Sequence, residues 1–214
     1  LYQGEHKMKE RPLIINNWEG TTFYFDEPKL CAIAENGAKL GLEMFVLDDG
    51  WFGKRNNDDC SLGDWYLNKE KLPAGLASLA EKINGMGMKF GLWVEPEMIS
   101  PDSDLYRAHP DWCLHAEGRT RTQNRQQLVL DYTRKDVRDY IIDAIGSVIA
   151  SANIEYIKWD CNRNLTEMQN QMQAHEYVLG LYEVLEALTS RFPHVLFEGC
   201  SGGGGRFDAG MMYY

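Results

Sequence analysis

Lys158 and Asp160, in the run Tyr156-Ile157-Lys158-Trp159-Asp160, carry the sharpest chemistry in this 214-residue chain. Side chains alternate along an extended strand, so these two share one face and Trp159 takes the other. An ammonium beside a carboxylate keeps it ionised. At the open end of a barrel, an ionised carboxylate can attack an anomeric carbon to give a glycosyl-enzyme that water then hydrolyses. A structural ion pair explains the same two residues. The neighbouring runs tilt the balance toward function. Four more apolar stretches end in a carboxylate or a cysteine: Met44 to Asp49, Phe90 to Glu95, Leu128 to Asp131 and Val195 to Cys200. Acids at the carboxyl ends of successive parallel strands are how a barrel builds an active site.

Asp48-Asp49-Gly50-Trp51 suits sugar binding, because carboxylates accept hydroxyl protons while indole covers the apolar face of a ring. A helix N-cap explains one such acid, but not a series. Trp18, Trp51 and Trp93 sit at strand ends where a platform is expected, whereas Trp112 and Trp159 read as core. Glu95-Pro96-Glu97 reads as a rigid strand-to-loop corner rather than a catalytic pair. Glu198 and Cys200 share a strand face, and Ser201-Gly202-Gly203-Gly204-Gly205-Arg206 lets the backbone approach a ligand closely. That glycine run lacks the Lys-Ser/Thr of a phosphate loop and the spacing of a dinucleotide fingerprint.

The elements that must position these residues alternate. Helical spacing recurs at Val137, Ile141, Ile145 and Val148, at Val178, Leu181, Leu185, Leu188 and Phe192, and at Leu76, Leu79, Ile83 and Met86. Pro28 marks the first turn of another helix, ahead of Leu30, Ile33 and Leu40. With Leu13-Ile14-Ile15 as an opening strand, the count is six strand-like runs. Strand-helix alternation implies an α/β fold with parallel strands, either doubly wound or a barrel, and the strand-end acids favour the barrel. Six runs cannot close a sheet that needs eight, so the expectation is a partial (β/α)8 TIM barrel: the first five or six β/α units, without the C-terminal strands. An unpaired edge would then make the isolated piece associate.

A net charge of -10 without a Lys/Arg cluster argues against nucleic acid or an anionic membrane as partner and favours a neutral polar ligand. Five cysteines without a CxxC pair suggest neither disulfides nor zinc, and point to reduced thiols in the cytoplasm. The histidines have no metal-like spacing, so neither metal nor cofactor is expected. No stretch is long and apolar enough to span a membrane. The start, without Met or a signal-peptide core, reads as that of an excised piece.

Taken in order, Asn16-Asn17-Trp18-Glu19, Leu47 to Phe52, Gly91 to Glu97, Lys158 to Arg163 and Cys200 to Asp208 resemble the successive motifs of the family 36 glycoside hydrolases, the microbial α-galactosidases. The likeness runs from about Arg11 onward. It implies a retaining double displacement on a (β/α)8 barrel with Asp160, in the Lys-Trp-Asp motif, as nucleophile. It implies further that Asp48 and Asp49 hold the 4- and 6-hydroxyls of galactose, that Trp18, Trp51 and Trp93 form apolar walls, and that Lys158 and Arg125 reach hydroxyls near positions 3 and 4. Cys200, Gly202 and Gly203, with Arg206, would lie against the 2-hydroxyl, leaving little room for an acetamido group. Cys161 stands where many relatives have Met, a packing difference.

Residues 1–10 are then a lead-in from a preceding domain and residues 11–214 a truncated (β/α)8 catalytic barrel. The family's acid/base lies in an Asp-rich motif on a later strand, expected beyond residue 214, with Glu198 as a fallback within the chain. The expected substrates are small α-galactosides of the melibiose and raffinose type, the full-length protein is expected to be a homo-oligomer, and the piece alone is expected to be inactive. The alternatives are an α-galactosyl-transferring, raffinose-synthase-like enzyme and a sugar-binding barrel without turnover.

Overall fold

Five of the six expected runs line up side by side in one parallel sheet, and the sixth does not join it. The computed structural model describes residues 4–214, so Leu1, Tyr2 and Gln3 of the expected lead-in lie outside the described residues. In chain order the elements are β1 (Ile14–Asn16), α1 (Trp18–Thr21), α2 (Glu27–Lys39), β2 (Met44–Leu47), α3 (Gly75–Gly85), β3 (Lys89–Val94), β4 (Met98–Ile99), α4 (Asp104–Ala108), β5 (Leu128–Val129), α5 (Lys135–Ala150), β6 (Tyr156–Trp159), α6 (Gln171–Arg191) and β7 (Leu196–Gly199), with 3-10 turns at Pro110–Trp112 and Met211–Tyr213.

The parallel sheet has the order β1-β2-β3-β6-β7, while β4 and β5 form a separate antiparallel pair. The Leu128 run is therefore no strand of the main sheet. The corner at Pro96 turns the chain back into Met98–Ile99, which takes Leu128–Val129 as its partner, and Leu130 N–H reaches the Glu97 carbonyl at 2.9 Å. Asp131 closes a local turn instead of a site, accepting from Thr133 N–H at 3.1 Å and from Thr133 Oγ1 at 2.7 Å.

The helices form where the spacing predicts them. Asp26 caps α2 by accepting Lys29 N–H at 2.9 Å, with Pro28 in the first turn, and Asn170 caps α6 through Gln173 N–H at 2.9 Å. The apolar stripes of α3, α5 and α6 face the sheet, burying Leu79, Ile141 and Leu185 among others. Leu40 departs from its expected place: it lies past the end of α2 and is exposed, and Gly37 packs against Ile15 instead.

Register fixes what the other face of the sheet presents. The pairings Asn16 to Val46, Val46 to Gly91, Gly91 to Tyr156, Trp93 to Lys158 and Lys158 to Glu198 put Asn16, Val46, Gly91, Trp93, Tyr156, Lys158 and Glu198 on one face. Met44, Val46, Tyr156 and Leu196 form a small apolar cluster on it, separate from the large core under the helices. Gly91 is required there, because a Cβ would stand 2.9 Å from the Tyr156 side chain and 3.1 Å from its carbonyl oxygen.

Candidate active site

Because the strands are parallel, their carboxyl ends share one edge, and Asn16, Asp48, Asp49, Glu95, Asp160 and Cys200 gather there. Asp160 is buried and surrounded by donors. Its Oδ2 accepts from Trp93 Nε1 at 3.0 Å and Asn162 Nδ2 at 2.8 Å, and its Oδ1 accepts from Cys161 N–H at 2.9 Å and, at longer range, Gly202 N–H at 3.4 Å. The Cys200 thiol also bonds it. Burial pushes the Asp160 carboxyl up, but these hydrogen bonds outweigh it and hold the group below its ordinary value.

Lys158 was expected to serve Asp160, and instead it pairs with Asp48. Its Nζ lies 2.9 Å from Asp48 Oδ2, which also accepts from Asn16 Nδ2 at 2.5 Å. Asp48 N–H in turn bonds Asn17 Oδ1 at 2.8 Å, so Asn16 at the end of β1 and Asn17 just past it fix this acid at two atoms. Asp49 faces a different partner. Arg55 grips it with Nη2 at 2.8 Å from Oδ2 and Nε at 3.0 Å from Oδ1, and Lys71 steadies the intervening turn through the Gly50 and Arg55 carbonyls at 2.8 and 2.7 Å. Burial pushes the Asp49 carboxyl up and Arg55 pulls it back, leaving it above its ordinary value.

The tryptophans divide. Trp18 is half-buried and lines an open groove of about 370 Å³ with Asn16, Tyr156, Lys158 and Glu198, a place from which a ring face can meet a ligand. Trp51 is 0% exposed and donates Nε1 to the Trp93 carbonyl at 2.9 Å, so it belongs to the packing rather than to a sugar-facing wall. Trp93 is 2% exposed and stacked on Phe52, with centroids 6.2 Å apart, and it serves Asp160 through its N–H. The aromatic content of the sequence suggests platforms; the structure spends two of these three rings on support.

The glycine loop bends over Asp160, with Gly202 at φ 54° and Gly203 at φ 86°, a region that favours glycine. Gly203 N–H meets the Cys200 sulfur, and Ser201 Oγ donates to the Cys161 carbonyl at 2.8 Å. Arg206 turns inward to Glu97 at 2.7 Å, where Tyr177 and Trp159 also donate, so it is an anchor of the loop. Arg125 is exposed at φ 53°, and its loop reaches the site through Gln127, which bonds Glu95. Asn16, Arg55 and Asn162 are site residues that the strand-end pattern misses. Asn162 could have been found from its place two residues after Asp160; Arg55 has no spacing signal.

Comparison with known proteins agrees with this geometry. The Melibiase family model matches residues 1–214. The α-galactosidase AgaA of Geobacillus stearothermophilus is 58% identical over all of this chain, and α-galactosidase 1 of Pediococcus pentosaceus is 51% identical; the chain spans 30% of the length of each. The crystal structure of AgaA superposes with a TM-score of 0.97 at 58% identity, covering 100% of this chain and 31% of that one. A variant of AgaA has been solved with raffinose, again at a TM-score of 0.97 and 58% identity. With the family model matched from end to end and the parallel sheet of these enzymes reproduced, the chain belongs to the melibiase family, among the family 36 glycoside hydrolases.

Proposed function

We propose that this chain is part of the catalytic barrel of a retaining α-galactosidase that hydrolyses terminal α-linked galactose from small galactosides of the melibiose and raffinose type, with Asp160 as nucleophile. The observation that carries the proposal is the surroundings of Asp160: a carboxylate at a strand end, held ionised by neutral donors and, among the described residues, bonded to no cation. Neutral donors suit a nucleophile, because they favour the ionised carboxylate while leaving lone pairs for attack. Lys158, Asp48, Asn16 and Trp18 beside it supply polar groups and a ring face for sugar hydroxyls. AgaA with raffinose supports the substrate class.

The parallel order β1-β2-β3-β6-β7 with helices on one face supports a (β/α)8 barrel, to which residues 11–214 contribute the first units. The acid/base is proposed to come from elsewhere in the complete protein. Asp48, Asp49, Glu95 and Glu97 are each committed to partners in this chain, and Glu198 stands across from Lys158 on the groove-facing side. All five cysteines are free, which supports placement in the cytoplasm.

The test is release of the aryl group from an aryl α-galactoside by the complete protein, beside an Asp160→Ala version shown to be folded. Turnover in the first and near-total loss in the second are expected. An active variant places the nucleophile elsewhere; an inactive parent that still binds galactose favours a binding role, and longer oligosaccharides in place of free galactose favour transfer.

A further inference from the structure

Glu95 closes β3 with its side chain only 1% exposed, and both of its direct partners are neutral amides. Asn162 N–H lies 2.5 Å from Oε1 and Gln127 Nε2 lies 3.2 Å from Oε2. Asn162 passes the contact on, donating Nδ2 to Asp160, while the Gln127 carbonyl is held by Arg163 Nη1 at 2.6 Å. One carboxyl thus joins the loop after Asp160 to the loop that carries Arg125. Its corner position, set by Pro96, explains where it stands but not these partners.

We propose that Glu95 is a positioning residue, which through Asn162 fixes the rotamer of the Asp160 carboxylate and through Gln127 fixes the neighbouring loop. This rests on the reading of Asp160 as nucleophile. The charged and titratable groups around Glu95 are Asp160 and the Cys161 thiol beyond β6, and Asp49 and Arg55 beyond β2, with Arg55 already gripped by Asp49. Burial above all, opposed by the Asn162 N–H and reinforced by Asp160 and Asp49, pushes the carboxyl up to about 7. Gln127 suits either proton state. Its NH2 group donates to the ionised acid, and its Oε1, which is buried with no partner, can accept from the protonated acid once the amide turns over. Ionised Glu95 holds the Asn162 N–H by a charge-assisted hydrogen bond, so the link through Asn162 to Asp160 is firmest above pH 7.

The experiment measures kcat/KM of the complete protein from pH 5 to 9 on an aryl α-galactoside whose phenolate leaves without protonation, so that no general acid governs the first step. The expected result is a rise of about fivefold through pH 7 that Glu95→Gln abolishes, with kcat at pH 8 down about tenfold and KM within about twofold. Asn162→Ala, which keeps the N–H that Glu95 accepts from but removes the amide that reaches Asp160, should lower kcat by about tenfold and shrink the rise to below about twofold. A rise that persists in Glu95→Gln overturns the proposal, as does an Asn162→Ala enzyme as fast as the parent; the latter also decides the matter if Glu95→Gln does not fold. Asp160→Ala separates the two readings: if it is inactive while Glu95→Gln keeps the rise, Glu95 alone has been misassigned, and if it is active, the nucleophile has been.

Discussion

Lys158 Nζ lies 2.9 Å from Asp48 Oδ2, although the two strands that carry them are separated by β3. The pair spans the sheet and is largely buried, so removing the lysine leaves a carboxylate with Asn16 as its side-chain donor among the described residues. Lys158→Met should destabilise the protein by about 2–3 kcal/mol, below the full cost of breaking a deeply buried pair because Lys158 keeps some contact with water. Urea unfolding at pH 7 measures this; a loss below about 0.5 kcal/mol would mark the pair as a surface contact in effect.

Trp93 donates one of the hydrogen bonds that keep Asp160 acidic. In Trp93→Phe the ring's packing on Phe52 is largely retained and the donor is lost. The acid limb of the pH-rate profile of the complete enzyme should move to higher pH, and kcat should fall about tenfold, the effect of losing one charged hydrogen bond. An unchanged acid limb would show that the remaining donors suffice.

Burial raises the Glu95 carboxyl to about 7, above the ordinary 4.5 of a glutamate, so its contribution to stability is fully present below about pH 4.5 and is lost as the pH rises through 7. Glu95→Gln, which cannot ionise, should therefore gain on the parent between pH 5 and 7 and hold the advantage above, by at most about 3 kcal/mol. Thermal unfolding at pH 5 and pH 8 checks the sign. A variant with the same deficit or gain at both values would mean that the acid stays ionised throughout.

Arg163 donates to the carbonyls of Thr122, Gln127 and Asn164 and to the Thr166 hydroxyl, stitching the Arg125 loop to the loop after Asp160. Arg163→Met removes these bonds together. Trypsin should then cut after the exposed Arg125 at least about tenfold faster, because local opening costs less. Mapping of the first fragments by mass spectrometry gives the answer, and resistance equal to the parent's would assign the loop's order to other contacts such as Glu167 with Thr122.

Local patterns carried much of this structure. The shared face of Lys158 and Asp160 follows from alternation within one strand, and the helices of α3, α5 and α6 follow from apolar spacing within one segment. Pairing is not local. The Leu128 run has the composition of a core strand, and only the turn at Pro96, which offers Met98–Ile99 as a partner, takes it out of the main sheet. For the same reason Lys158 has a nearer carboxylate in sequence than Asp48, and Trp51 and Trp93 look like platforms until their N–H groups find a carbonyl and a carboxylate. Glu95 looked like a corner because its partners, Asn162 and Gln127, come from distant segments.

The donors to Asp160 arrive from three places: Trp93 on β3, Cys161 and Asn162 in its own loop, and Cys200 and Gly202 beyond β7. Its acidity is therefore a record of assembly. Burial alone would raise this carboxyl, so it stays below the ordinary aspartate value only where all three segments stand in place, and loss of any one of them should move its titration to higher pH.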